Sequence, residues 1–112
     1  MNNRSAILHS LINLDRPIEA IMDELRHLSW DVETPVIRLD ISNVTSILQR
    51  YLSGTIDVSS VESWANAIEG RDDIAINGDR LRGIIHELAN PILTRQLNPD
   101  VATSIISTLT HS

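Results

Sequence analysis

Between Glu69 and Asp79 the chain gathers Glu69, Arg71, Asp72, Asp73 and Asp79, four carboxylates around a single guanidinium. Two uses suit such a group. Arg71 can pair with one of the acids while the others cap helix ends and hold a loop, which is the structural reading. Alternatively the acids form an outward patch that meets arginines or lysines of a partner, where desolvated charge pairs are strong and selective. The two readings are compatible, since one acid can hold the loop while its neighbours face outward.

Further along, His86-Glu87-Leu88-Ala89-Asn90 begins like the helical zinc-hydrolase signature, in which two histidines one turn apart bind the metal and the glutamate activates water. The second histidine is replaced by Asn90, a poor zinc ligand, so His86 reads as an ordinary helix residue and no metal site is expected. Asp73, Asn77 and Gly78 match part of a calcium loop, but Ala75 and Ile84 stand where its other carboxylates belong. No serine has a visible base and acid partner, and no glycine-rich phosphate loop is present. A binding protein without catalysis or cofactor is therefore the expectation.

Composition sets the same direction. The 112 residues carry a formal charge of -6, and every basic residue other than histidine is arginine. That field repels a phosphate backbone and steers a basic partner inward. There is no cysteine, which excludes disulfides, thiolate metal sites and cysteine nucleophiles. The apolar run near the N-terminus is broken by His9, Ser10 and Asn13, too short and too polar for a signal segment or a membrane span. A soluble cytoplasmic protein is expected, free of nucleic acid and membrane.

Elements to position these residues follow from periodicity. Ile7, Leu8, Leu11 and Ile12 make a first helical stripe, with Ser5 as a cap. Pro17 opens a second helix with Ile18, Ile21, Met22, Leu25 and Leu28 on one face, ending near Ser29, with Glu19 and Glu24 in solvent. Trp30 to Leu39, interrupted by Pro35, reads as a surface loop. Asp40 caps a third helix that buries Val44, Ile47, Leu48, Tyr51 and Leu52, and Gly54 supplies its left-handed stop.

Ser59 and Glu62 have capping-box spacing and place the start of a fourth helix at about Ser60. Val61, Trp64, Ala65 and Ile68 form its buried stripe, and Gly70 stands after its last turn. A fifth helix from Asp79 carries Leu81, Ile84, Ile85 and Leu88, closed by Pro91; a sixth starts at Asn98-Pro99 with Val101, Ile105, Ile106 and Leu109. Asn66 and Asn90, amides in apolar stretches near the ends of the Arg71 to Gly78 loop, are expected to tie that loop's backbone to the helices. The expected fold class is all-α, a single compact bundle of five to six short helices in one domain over residues 1–112.

Taken together, Tyr51-Leu52-Ser53-Gly54, Val61-Glu62-Ser63-Trp64-Ala65-Asn66, Ile68-Glu69-Gly70-Arg71-Asp72-Asp73-Ile74 and Glu87-Leu88-Ala89-Asn90-Pro91 resemble a family of small bacterial helical proteins. That family is identified with the immunity proteins of polymorphic and contact-dependent-inhibition toxin systems, and the resemblance covers Leu39 to Leu97. It implies a non-catalytic protein that binds and blocks a cognate toxin domain, often a nuclease with a basic cleft, delivered by a neighbouring cell. On that resemblance Glu62, Asp72, Asp73 and Asp79 are the expected contact acids, while Trp64, Asn66, Gly70, Arg71 and Asn90 belong to the scaffold. The alternative from another class is a helical adaptor or oligomeric assembly subunit, which calls for an exposed apolar patch.

Overall fold

The computed structural model describes residues 4–27, 37–69, 71, 73–76, 78–94 and 96–110. The expectations for Leu28, Trp30, Pro35, Gly70, Asp72 and Asn77 lie outside these residues. Among those described, six helices and one small sheet succeed one another: α1 Arg4–Asn13, α2 Ile18–Leu25, β1 Ile37–Leu39, α3 Ile41–Leu52, α4 Val58–Ile68, β2 Ile74–Ile76, α5 Asp79–Ala89 and α6 Pro99–Thr110. The chain is a mostly helical small bundle. None of its described helices is long and apolar enough to cross a membrane.

The helical stripes converge on one core of Ile, Leu, Val and Ala side chains, with Trp64 as its largest fully buried member. Trp64 also solves a polar problem. The last carbonyls of a helix have no partner within it, and the Trp64 indole Nε1 donates to the Leu11 carbonyl at 2.8 Å in the buried interior. Arg50 from α3 reaches the same helix end, its Nη1 donating to the carbonyls of Asn13 and Leu14 at 3.0 Å each. Thus α3 and α4 both dock onto the C-terminal end of α1.

That end closes in a Schellman pattern, with Asp15 N–H on the Ser10 carbonyl and Leu14 N–H on the Leu11 carbonyl. The left-handed residue is Leu14, at φ 46°. A leucine there carries backbone strain that glycine would not, and its burial in the core offsets it. At the end of α3 the same motif uses Gly54 at φ 82°, with Thr55 N–H on Arg50 and Gly54 N–H on Tyr51.

Several expected boundaries shift. Ile37–Leu39, expected as surface loop, is a strand that pairs in parallel with Ile74–Ile76, in the register Ile37 to Ile74 and Leu39 to Ile76. A parallel pair needs a long crossover, supplied here by α3 and α4. Strands of three residues are too short for a visible alternation, so nothing local announces the pairing. Helix α4 begins at Val58 and not near Ser60, because Asp57 accepts the Ser60 amide at 2.8 Å and caps two residues earlier than the expected Ser59. That hydrogen bond, with help from the Ser60 hydroxyl, holds the Asp57 carboxyl below the usual carboxylate range.

Helix α2 stops at Leu25, where Arg26 and His27 tighten the last turn onto Met22 and Glu24. Glu24, expected in solvent, is half-buried against Arg16. Leu52, expected in the core, is exposed.

Truncation of the indole tests the docking of α4 on α1. Trp64→Ala is expected to cost about 3–5 kcal/mol of stability, and Trp64→Phe, which keeps most of the volume and loses the Leu11 bond, about 1 kcal/mol. Denaturant titration followed by far-UV circular dichroism measures both; a Trp64→Phe protein as stable as the parent would show that the Leu11 hydrogen bond contributes nothing.

Candidate functional site

The acidic segment after α4 divides into inward and outward parts. Asp73 stands immediately before β2, only 2% exposed. Its carboxylate is gripped in bidentate fashion by Arg71, Nε to Oδ1 and Nη2 to Oδ2 at 2.9 Å each, and Arg4 Nη1 reaches Oδ2 at 2.8 Å from the first turn of α1. Burial pushes the Asp73 carboxyl up, but the hydrogen bonds and charges of Arg71 and Arg4 outweigh it, and the group sits below its ordinary value. The Asp73 carbonyl also accepts the Ile37 amide, so one residue joins α1, the loop and both strands. This corrects its expected place among the contact acids: a buried carboxylate with both oxygens engaged cannot meet a partner.

Asp79 is exposed in the first turn of α5, where a negative charge complements the helix dipole. It shares a broad depression with Glu69, Arg71, Ile76, Arg82 and His86. Glu62 faces a different hollow. Among the described residues the expected contact acids thus form no single patch, with Asp73 inside and Glu62 and Asp79 lining separate depressions.

A second cluster joins the end of α4 to the end of α5. His86 Nδ1 lies 2.7 Å from Glu69 Oε2, and Asn90 Nδ2 donates to Glu69 Oε1 at 3.1 Å and to the His86 carbonyl at 2.9 Å. Asn90 therefore ties two helix ends together, not the loop backbone it was expected to hold. Asn66 makes no such tie; it is exposed and its Nδ2 bonds the Glu62 carbonyl of its own helix at 3.0 Å. Among the described residues, no group of three or more histidine and carboxylate side chains is arranged to hold a metal ion.

The hollow beside Glu62 has a different character. Val58, Val61, Leu88, Pro91, Leu97 and Val101, from α4, α5, the segment that follows it and α6, line a cavity of about 270 Å³, with the polar residues Ser59, Glu62, Glu87 and Gln96 in its wall. The turn from Asn90 carries Ile92 and Leu93 beside it, 92% and 77% exposed. Hydrogen bonds hold that turn in place. The Thr94 hydroxyl donates to the carbonyls of Glu87 and Asn90, and the amides of Leu93 and Thr94 both reach the Asn90 carbonyl. The two aliphatic chains are thus presented outward by a closed turn.

Sequence reasoning missed Arg4, the Glu69–His86 pair and this groove. For Arg4 no signal exists, because its partner lies 69 positions away. For the groove one does: Ile92-Leu93 is an apolar pair just past Pro91, on neither neighbouring helical stripe. The chain matches no family model, no curated protein and no solved structure.

Acid should probe the Asp73 cluster. Because the carboxyl titrates lower in the folded chain than in the unfolded one, its stabilisation is whole above the unfolded-state pKa of about 3.9 and is lost as pH falls through the folded value. Asp73→Asn is expected to cost about 3 kcal/mol at pH 7, by leaving Arg4 and Arg71 without their counter-charge, and to flatten the loss of stability below about pH 4. Urea titrations at pH 7 and pH 3 measure both, and an unchanged acid limb in the variant would refute the assignment.

Proposed function

We propose that the protein acts by binding and not by catalysis, as an immunity protein that neutralises a cognate toxin domain, of basic and nuclease character, by occluding its active or substrate-binding site in the cytoplasm. The observation that carries this reading is the direction of the charges. Several arginines are drawn into the fold: Arg4 and Arg71 hold Asp73, Arg16 pairs with Glu24, and Arg50 caps α1. Carboxylates are left outside, with Glu19, Asp79 and Asp100 exposed and Glu62 in the groove wall.

Arg38, Arg80 and Arg82 are exposed as well, but the whole chain keeps its charge of -6. An outward acidic excess speeds the approach of a basic cleft and disfavours nucleic acid itself. The segments that resemble immunity proteins serve the scaffold in this reading. Contact falls to the outward acids.

A second reading, that of a helical adaptor or assembly subunit, draws support from Ile92 and Leu93. Two fully presented aliphatic side chains beside an apolar hollow are what a docking face requires.

Co-expression with a candidate toxin region, such as the C-terminal region of a large secreted protein should a neighbouring gene encode one, tests the first reading. Growth is expected to be rescued, and the two chains to co-purify in a salt-sensitive complex. Asp79→Lys is expected to leave the fold intact and slow association about tenfold at low salt. Failure of the toxin region to associate, with continued growth arrest, would eliminate the immunity role.

A further inference from the structure

The groove between the start of α4, the end of α5 and the start of α6 has three properties that together define an occupant. Its floor is apolar, built on Val61 and Leu88. Its volume of about 270 Å³ falls just below the range of about 300–1,000 Å³ that encloses a whole drug-sized ligand, and suits one large side chain of a longer segment. The Glu62 carboxylate in its wall has no hydrogen-bond or ion-pair partner among the described residues. An apolar seat beside an unpaired carboxylate is complementary to a side chain that is itself flanked by a cation.

We infer that this groove is the docking site for a basic segment of a partner protein, which seats a large aliphatic or aromatic side chain on Val61 and Leu88 and places an adjacent arginine or lysine against Glu62. The inference deepens the binding role proposed above and rests on it for the partner's basic character. Ile92 and Leu93, held outward by the Thr94 hydrogen bonds, extend the apolar contact beyond the hollow. Val58, 46% exposed at the start of α4, adds to it on another side.

Charge also decides against a second copy of this chain as the occupant. Pairing two such faces would bring together Glu62 from both copies, each on a chain of charge -6. Like charges across a contact disfavour it. A basic partner is attracted by the same groups that repel a twin.

The full chain, isotopically labelled, is titrated with two synthetic helical peptides that share one central leucine, one flanked by arginines and the other by glutamates. The arginine-flanked peptide is expected to shift the NMR signals of Val58, Leu88, Leu97 and Val101 and to leave those around Asp79 unchanged. Glu62→Arg is expected to weaken it about tenfold or more and to admit the glutamate-flanked peptide; Glu62→Gln should fall between. Val58→Glu, at an exposed position, should weaken the glutamate-flanked peptide's contact with the Glu62→Arg protein.

Shifts centred elsewhere, affinity indifferent to the charge at Glu62, or concentration-dependent self-association through Ile92 and Leu93 would each overturn the inference. Repeating the charge swap with the toxin region separates the two proposals. A toxin region that binds and is neutralised equally well by the Glu62→Arg protein defeats the groove and leaves the immunity role standing. If no toxin region associates while the arginine-flanked peptide still seats in the groove, the docking site stands and the immunity role fails.

Discussion

A carboxylate removed from water must be compensated or it will not stay charged, and the burial of Asp73 imposes that demand at the centre of this fold. Arg71 supplies a bidentate fork from two residues away, and Arg4 closes the site from the opposite end of the sequence. Two consequences follow from one buried charge. The first turn of α1 is fixed to the segment that enters β2, and the Asp73 carbonyl is in place to receive the Ile37 amide.

The other end of α1 is fastened by different means. Its orphan carbonyls are met by the Trp64 indole from α4 and the Arg50 guanidinium from α3, and the strained Leu14 turns the chain inward to the core. A helix of ten residues would be marginal alone. Held at both ends, it becomes the element against which α3, α4 and the sheet are set. Because α4 is placed this way, its first turn stands opposite the end of α5, and the groove beside Glu62 follows from their separation.

Stability and surface chemistry are linked through the arginines. Those committed to Asp73, Glu24 and the end of α1 cannot offset carboxylates elsewhere, so the outward charge is more acidic than an even mixture would be. The Thr94 hydrogen bonds act likewise on Ile92 and Leu93, holding in solvent two side chains that a looser turn could fold back. An acidic excess together with a fixed apolar pair at Ile92 and Leu93 is consistent with the proposed role in binding a basic partner.

Local sequence determined a good deal of this protein. The stripes of α1, α3, α4, α5 and α6 were legible because a 3.6-residue period sorts buried from exposed positions without knowledge of neighbours, and Asp40, Gly54 and Asn98 marked helix ends because capping chemistry is equally local. Net acidity and the lack of cysteine were likewise present in the composition. Tertiary structure alone decided that Asp73 turned inward: Asp73 and Asp79 look alike in sequence, and the approach of Arg4 from 69 positions away, added to the Arg71 fork, singles out Asp73. It alone paired Ile37–Leu39 with Ile74–Ile76, gave Asn90 to Glu69, and put Val58, Leu88 and Val101 around one hollow. Each of these depends on long-range closure of the chain, whose geometry no short-range period encodes.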